Sequence, residues 1–388
     1  MQIIPVEDAH GNRLFIEVPL VLYARDKNFI RPLDKDILEV FDEKKNKAFR
    51  FGKCIRWILK NEAGELIGRI AAFVNKKYKT KGDDFPVGGM GFFECINDQT
   101  AADLLLDNAK HWLIKEGMEA MDGPINFGER DKWWGVVTTG FHEPLYGMNY
   151  NPPYYKTLLE NYGFQVFFKQ ICIGMNIKNP LQQKIWDRYH QIIEDPHFTS
   201  SHIKKNQLEK YAGDFAEVYN KAWAGHGGLK QMPKEQVLLL FKKMKPVMDE
   251  RLVWFAYYKE NPIAIFVNLP DLNQWFKHLN GRFGLLQKLY FLWLKQFKPN
   301  PKFTGLVFGI VPEFQGKGID AFIIASSAQL LQKTNIHYNH YEMQWIGDFN
   351  PKMLNIAQNL GDVFNTRELA TYRYLFDRTK PFKRHPIL

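Results

Sequence analysis

A glycine loop joins a predicted strand to a predicted helix near the end of the chain, and this junction is suited to hold a phosphate. Residues 304–311 are rich in apolar and β-branched side chains, and residues 321–331 repeat apolar side chains at helical spacing. Between them, Gly316 and Gly318 leave space for a ligand to approach the backbone. Free N–H groups and the positive dipole end at a helix start favour an anion. The pattern therefore predicts an anion site.

The residues around these glycines resemble a known signature. Gln315-x-x-Gly318, preceded by Val311-Pro312-Glu313, is similar to the Q/R-x-x-G-x-G/A motif with which GNAT N-acyltransferases bind the CoA pyrophosphate. The resemblance implies acetyl-CoA or a longer acyl-CoA as co-substrate and no metal. Asp320 stands where the motif has Gly or Ala, so its carboxylate either points away or weakens CoA binding. The residues implied for CoA are Ile310, Val311, Gln315, Gly316, Lys317, Gly318 and Ile319.

Acyl transfer to an amine needs a base, a donor to the thioester oxygen and an acid for the leaving thiolate. The resemblance implies that a backbone N–H near residues 310–311 meets the oxygen. Residues 338–345 alternate with period two, which places His340 and Glu342 on one strand face. We predict that Glu342 or His340 assists deprotonation of the amine. The alternative is that both are polar residues on a half-exposed face.

The acid of the resembled family is a tyrosine four residues before the glycine that closes the last helix. The corresponding positions hold Ala357 in the second half of the chain and Leu159 in the first. The resemblance therefore implies that water or another tyrosine protonates the leaving group.

Two loop segments, residues 123–135 and 146–155, are too long and too aromatic for simple connectors. They resemble the linking segment of bacterial tandem GNAT-like proteins, which implies an acceptor cleft between two halves. The alternative is that the aromatic side chains pack together and bury the loop. The predicted binding residues for a small-molecule or peptide amine are Asn126, Asp131, Trp134, Tyr150 and Tyr154.

The chain repeats itself at half its length. A predicted hairpin ends in Phe-Val-Asn at residue 75, and another ends in Phe-Val-Asn at residue 268, which is 268 − 75 = 193 positions later. Predicted helices start at Asn151-Pro152 and Asn350-Pro351 and close at Gly163 and Gly361, offsets of 199 and 198. Such repetition predicts two copies of one fold.

The order of elements in each copy is hairpin, strand, helix, strand, helix, strand. This order resembles that of the GNAT fold, which implies an α/β fold with a mixed sheet, formed by two tandem GNAT-like domains at residues 1–190 and 198–388. In the first copy, residues 94–100 occupy the position of the glycine loop, with two acids and no glycine, and Asp98 is placed to cap a helix. We therefore predict that the N-terminal domain is degenerate for CoA and contributes to the acceptor site.

Residues 273–302 form an insertion without a counterpart in the first copy. Its segment 275–298 combines an apolar surface with interspersed basic residues and is too short and too charged to span a bilayer. Peripheral contact with a membrane, coverage of a lipid-like acyl chain and a dimer contact are three alternatives to packing on its own domain. The apolar residues are Phe283, Leu285, Leu286, Leu289, Tyr290, Leu292, Trp293 and Phe297, and the basic ones are Arg282, Lys288, Lys295 and Lys298.

Composition narrows the class of protein. The net charge of +10 favours polyanionic partners such as CoA, nucleic acid or a membrane surface, but no zinc-finger spacing or RNA-binding aromatic signature supports nucleic acid. Three scattered cysteines and the absence of a signal peptide predict free thiols and a cytoplasmic location. The sequence thus predicts an N-acyltransferase, with N-acetyl transfer preferred; the rival is a non-catalytic acyl-CoA-binding or ligand-binding protein.

Overall fold

The computed structural model describes residues 1–80, 82–223, 231–333 and 336–387. Helices and strands alternate along these residues in two similar series. The first series is β1 (Gln2–Pro5), α1 (Ala9–Leu22), α2 (Asp34–Val40), β2 (Gly52–Lys60), β3 (Leu66–Asn75), β4 (Val87–Cys95), α3 (Gln99–Lys115), β5 (Ala120–Gly123), β6 (Val136–Thr139), α4 (Tyr154–Tyr162) and β7 (Gln165–Asn176). The second is α5 (Gln183–Ile193), β8 (Phe198–His202), α6 (Leu208–Trp223), α7 (Lys234–Met244), β9 (Val253–Tyr258), β10 (Asn261–Pro270), α8 (Asn273–Phe276), α9 (Leu285–Phe297), β11 (Lys302–Ile310), α10 (Ile319–Gln332), β12 (His340–Met343), β13 (Ile346–Gly347), α11 (Pro351–Gln358) and β14 (Val363–Leu375).

The strands form one mixed sheet. Its order is β1-β2-β3-β4-β5-β14-β7-β12-β11-β10-β9-β8, and β6 and β13 pair with β14 and β7 beside this path. Each half contains one parallel pair, β4 with β5 and β11 with β12, joined through helices α3 and α10. The predicted mixed α/β architecture is confirmed.

The helix ends follow the predicted capping in part. Asn350 caps α11 by accepting a hydrogen bond from the Met353 N–H at 3.2 Å, with Pro351 in the first helical position. Gly163 ends α4 in a left-handed conformation, with φ 108°.

Two predicted helix ends are wrong. The Asn151 side chain does not cap α4, because its amide accepts from the Val137 N–H at 2.7 Å and donates to the Val137 carbonyl at 3.1 Å. These two hydrogen bonds connect the loop before α4 to β6, and α4 begins at Tyr154 without a side-chain cap. In the second half, α11 ends at Gln358, before Gly361, and Asn359 occupies the position after the last turn.

The last strand of the chain lies in the first half of the sheet. β14 pairs with β5 and β7, while β7 pairs with β12 of the second half. The cores follow the strands: Ile173 and Met175 of β7 pack in the C-terminal core, and Ala370 and Tyr372 of β14 pack in the N-terminal core. The two halves therefore share one continuous sheet, and the division at residues 1–190 and 198–388 stays a prediction.

Candidate donor and acceptor sites

The glycine junction has the backbone geometry that an anion site needs. Gly316 and Gly318 both lie in the left-handed region, with φ values of 74° and 83°, and Gly318 is the N-cap residue of α10. Among the described residues, no side chain caps this helix. The N–H groups of its first turn therefore remain available to a ligand. A side chain built on Gly316 would meet no atom within 4 Å, so the loop is open to solvent.

Two basic residues lie at this junction. Lys317 is exposed, with its ammonium 5.4 Å from the centre of the Phe314 ring. Arg188, an exposed residue of α5, lies close to Gly318, since its Cδ is 3.6 Å from the position that a Cβ would take there. No local sequence pattern connects Arg188 to the loop; the packing of α5 on α10 brings it there.

Asp320 lies half-buried in the first turn of α10. Within the described parts of the chain, its carboxylate has no ion pair or side-chain hydrogen bond. No other residue in the first turn of α10 is acidic.

The two parallel strands beside the loop separate. β11 pairs with β12 only from Lys302 to Gly305, and the chain then turns so that β13 pairs with β7. The Val311 N–H points towards β10, where it donates to the Ile263 carbonyl at 2.9 Å. Successive N–H groups of a strand point to opposite edges, so the Ile310 N–H faces the gap between the separated strands.

Gln315 lies at the same gap. Its side-chain amide donates to the Ile310 carbonyl at 3.1 Å. Of the residues predicted to bind the acyl-CoA, Ile310 and Gln315 therefore line the gap, and Gly316 to Ile319 form the helix start. The Val311 N–H is hydrogen-bonded to β10.

An apolar cavity of about 80 Å³ lies between β11, β12, α10 and α11. Ser327 of α10 contributes a buried hydroxyl without a hydrogen-bond partner in the described structure. Tyr341 of β12 also lines this cavity, and burial raises the pKa of its phenol. Ala357, at the position of the expected tyrosine acid, is fully buried in the same core. The apolar walls include Met175, Ile177, Phe303, Phe308, Ile324, Leu331, Met343, Met353 and Ile356.

Glu342 is held in a buried network of charges. Its Oε1 accepts from Arg367 Nε at 2.9 Å and from Thr366 Oγ1 at 2.9 Å, and its Oε2 lies 3.3 Å from Lys302 Nζ. Burial acts to raise the pKa of this carboxyl, but the hydrogen bond from His142 and the charges of Arg367 and Lys302 outweigh it and hold the pKa well below its usual range. A carboxylate so stabilised is a weak base.

His340 is exposed at the start of β12. The described residues provide no side-chain hydrogen-bond or ion-pair partner for its imidazole. The two predicted bases thus differ in environment: Glu342 is fixed by ion pairs, and His340 is accessible to solvent.

A cleft of about 660 Å³ opens in the N-terminal half, beside the loop at residues 123–135. Two of the five predicted acceptor residues, Asn126 and Trp134, line it. Trp134 is almost fully buried, and its indole N–H has no partner among the described residues. The cleft wall carries six basic residues, Lys45, Lys47, Lys77, Lys79, Arg130 and Lys132, and three acidic ones, Asp36, Glu39 and Glu129.

The other three predicted acceptor residues lie elsewhere. Tyr150 lines a separate cavity of about 70 Å³, and its hydroxyl donates to Asp26 at 2.6 Å. The Tyr154 hydroxyl donates to the Cys95 carbonyl at 2.8 Å. Asp131 is exposed next to the cleft without lining it.

Arg130 connects the cleft to the second half of the chain. Its guanidinium carbon lies 5.3 to 5.7 Å from the ring centres of Trp134, Phe168, Trp345 and Phe349. Two of these rings belong to the N-terminal half and two to the segment that follows β12. Sequence reasoning missed Arg130 as a site residue, although the loop that carries it was recognised.

The fold and the glycine junction define a tandem GNAT protein architecture. The chain superposes with a TM-score of 0.54 on a tandem GNAT protein from the clavulanic acid biosynthesis pathway, at 10% identity, covering 98% of this chain and 99% of that one. It also superposes with a TM-score of 0.54 on the GCN5-related glucosamine N-acetyltransferase region of a fungal multi-domain GH3 β-N-acetylglucosaminidase, at 12% identity, covering 96% of this chain and 38% of that one. The predicted tandem GNAT fold is confirmed.

Two named proteins are similar to the chain in sequence. One is Protein YghO of Escherichia coli, 22% identical over 357 residues, with 90% of this chain and 89% of that protein covered. The chain is 23% identical over 384 residues to a bacterial ceramide synthase of Caulobacter vibrioides, with 93% of this chain and 94% of the relative covered. No protein-family profile matches the chain.

Proposed function

We propose that this protein is an acyl-CoA-dependent N-acyltransferase whose donor site lies at the β11–α10 junction. One observation carries the proposal: an uncapped helix start on two left-handed glycines adjoins a gap between parallel strands and an apolar cavity. The tandem GNAT fold and the ceramide synthase relative support it.

The residues of the junction fit the chemistry of an acyl-CoA. The amides at the start of α10 would hold the pyrophosphate, and Lys317 and Arg188 would neutralise its charge. A bound acyl-CoA supplies an activated acyl group as a thioester. The Ile310 N–H, which faces the gap, is placed to stabilise negative charge on the acyl oxygen.

The apolar cavity favours an acyl chain longer than acetyl. Its walls are almost entirely hydrocarbon and aromatic, which stabilises methylene groups by removing them from water. The Ser327 hydroxyl offers one hydrogen bond that the described residues leave unmade. Acetyl-CoA, the donor preferred from the sequence, is the alternative.

For the acceptor, we propose an amine bound in the N-terminal cleft. Ceramide is an amide of a fatty acid and a long-chain amino alcohol, so the relative's name suggests a long-chain amino alcohol as the first acceptor to test. The predicted residues Asn126, Asp131, Trp134, Tyr150 and Tyr154 stay part of this proposal, and Arg130 joins them.

Proton transfers are assigned to groups around β12. Of the two predicted bases we prefer His340, because Glu342 is already committed to Arg367 and Lys302. Since His340 pairs with Lys302 at the start of β11, eight residues before Ile310, it would act on the amine through water. Tyr341 is our candidate acid, since its ring lines the donor cavity. A cytoplasmic location fits the three free cysteines.

Thiol release tests the proposal. The purified protein is incubated with acetyl-CoA and with longer acyl-CoAs against a long-chain amino alcohol and a panel of small amines, and the amide product is identified by mass spectrometry. We expect release that requires both an acyl-CoA and an amine. Tight binding of acyl-CoA without release for any amine would instead support the rival, a non-catalytic acyl-CoA-binding protein.

The acceptor site needs its own experiment. Replacing Arg130 by Met removes the cation over the four rings and keeps a side chain of similar length. We expect a higher KM for the amine with unchanged acyl-CoA affinity. A change confined to acyl-CoA affinity would place the acceptor elsewhere.

A further inference from the structure

Helix α9 packs on the protein through one face and leaves the opposite face bare. Phe291 and Leu294 are buried against Trp275 and Phe276 of α8. The remaining large apolar side chains point outward, with exposed fractions of 75% for Leu285 and Leu286 and 65% for Phe297. The whole outward set is Leu285, Leu286, Leu289, Tyr290, Leu292, Trp293 and Phe297. The expectation that this insertion packs on its own domain therefore accounts for only one face of the helix.

The bare residues form one continuous stripe. At about 100° per residue, residues 285, 286, 289, 290, 293 and 297 fall within one side of the helix, opposite Phe291 and Leu294. Tyr290 stacks on Trp293, with ring centres 5.9 Å apart, and Trp293 packs on Phe297 at 5.6 Å. The stripe is thus an ordered apolar and aromatic surface along the full length of α9.

Positive charge flanks this stripe. Residues 273–302 contain six Lys or Arg residues and no Asp or Glu. Lys277 pairs with Glu143 and Lys302 with Glu342, but Arg282, Lys288 and Lys298 have no acidic partner among the described residues. The surface therefore combines exposed hydrocarbon with uncompensated cations.

We infer that α9 docks on the surface of a bilayer that contains anionic lipid. An apolar face with Leu, Trp and Phe beside Lys and Arg is the pattern of a helix that lies in the membrane interface, and Trp and Tyr prefer the level of the headgroups. Anionic headgroups would pair with the three cations. A second copy of the chain fits less well, because a symmetric contact would bring the same cations together. Within the described residues, no helix is long and apolar enough to cross a bilayer, so the docking is peripheral.

Vesicle flotation tests the inference, with phosphatidylcholine vesicles and with vesicles that also contain phosphatidylglycerol. We expect the protein to float with the anionic vesicles and high salt to weaken this binding. The triple variant Leu285→Gln, Leu289→Gln, Trp293→Gln should bind them at least about tenfold less tightly, because three exposed side chains no longer enter the interface. The matched control is Leu239→Gln with Leu240→Gln, two exposed leucines of α7, which should bind as the parent does.

Trp293 gives a second readout that a folding defect would not imitate. Brominated lipids should quench the tryptophan fluorescence of the parent more than that of Trp293→Phe. The inference fails if the parent does not bind anionic vesicles or if the triple variant binds equally well. It also fails if light scattering shows a dimer that the triple variant converts to a monomer while vesicle binding is unchanged, since the stripe is then a contact between two copies.

Discussion

Arg373 of β14 and Asp122 of β5 form a buried bidentate ion pair that joins the last strand of the chain to the N-terminal half. The distances are 2.6 Å from Nε to Oδ1 and 2.8 Å from Nη2 to Oδ2, and both side chains are almost inaccessible to water. Asp83 Oδ1 accepts a further hydrogen bond from Arg373 Nη1 at 2.7 Å. Burial acts to lower the pKa of Arg373, but hydrogen bonds and charges from Asp122 and Asp83 raise it above its usual range.

This pair predicts a large and specific stability effect. Arg373→Leu removes the cation that pairs with the buried Asp122 carboxylate and leaves it the hydrogen bond from the Tyr78 hydroxyl, so we expect the free energy of unfolding to fall by about 3–5 kcal/mol. Asp122→Leu combined with Arg373→Leu should destabilise by clearly less than the sum of the two single changes. Glu368→Gln, which breaks a more exposed ion pair of the same strand, is the control and should cause little change. Equal effects of Arg373→Leu and Glu368→Gln in urea denaturation would contradict this prediction.

Glu342 predicts a defined pH dependence of stability. Its folded pKa lies below the ordinary value of 4.5, so its contribution is complete above about pH 4.5 and is lost as the pH falls through the depressed folded pKa. We expect Glu342→Gln to lower stability at neutral pH and to flatten the decline of stability below pH 4.5. Urea denaturation across this pH range measures both effects, with the exposed Glu313→Gln as control. Parallel pH profiles for Glu342→Gln and the parent would show that this ion pair is not the cause.

Gly318 predicts the location of the donor site. Its φ of 83° disfavours any β-branched residue, so Gly318→Val should distort the start of α10 and abolish CoA binding. Gly64→Val is a matched control, because Gly64 has a similar φ of 80° and open surroundings in the hairpin turn between β2 and β3. It carries the same backbone strain far from the loop in sequence. Calorimetry that finds unchanged CoA affinity in Gly318→Val would move the site elsewhere.

The first half of the chain predicts a stoichiometry of one CoA per chain. At the start of α3, Asp98 caps the helix by accepting from the Ala101 N–H at 2.9 Å, so the amide that an anion would need is engaged. Nearby, the buried Glu94 side chain accepts hydrogen bonds from Arg69 and the Tyr155 hydroxyl, so an acidic residue occupies the turn where a pyrophosphate would lie. Equilibrium titration should find one site in the parent and none in Gly318→Val. Two equivalent sites would contradict the degenerate role of the N-terminal half.

The choice of base can be decided by single-turnover kinetics. If His340 removes the proton, His340→Gln should slow the acyl-transfer step by about 10² or more and leave acyl-CoA affinity unchanged. Because His340 is exposed, the same variant should unfold at the same urea concentration as the parent. Glu342→Gln should show its main effect on stability, with a slower step if Glu342 also contributes. If both variants match the parent rate, proton removal belongs to solvent or to the N-terminal loop.

Local patterns in the sequence determined several features. The hairpins, the strands on either side of α3 and α10 and the amphipathic helices follow from residue periodicity, and the two glycines of the β11–α10 junction indicated a tight loop at a helix start. The cap at Asn350 was predictable for the same reason, because all its partners lie within one turn. The prediction failed at Asn151, where a partner 14 residues away took the side chain.

Tertiary structure alone decided the rest. Arg188 reaches Gly318, and Arg367 reaches Glu342, only because distant helices and strands pack together. The same holds for β14, which crosses into the first half of the sheet and pairs there with β5. Periodicity reports which face of an element is apolar, but not what covers that face. Only the packed chain shows that α9 buries Phe291 and Leu294 and leaves the opposite stripe in contact with water.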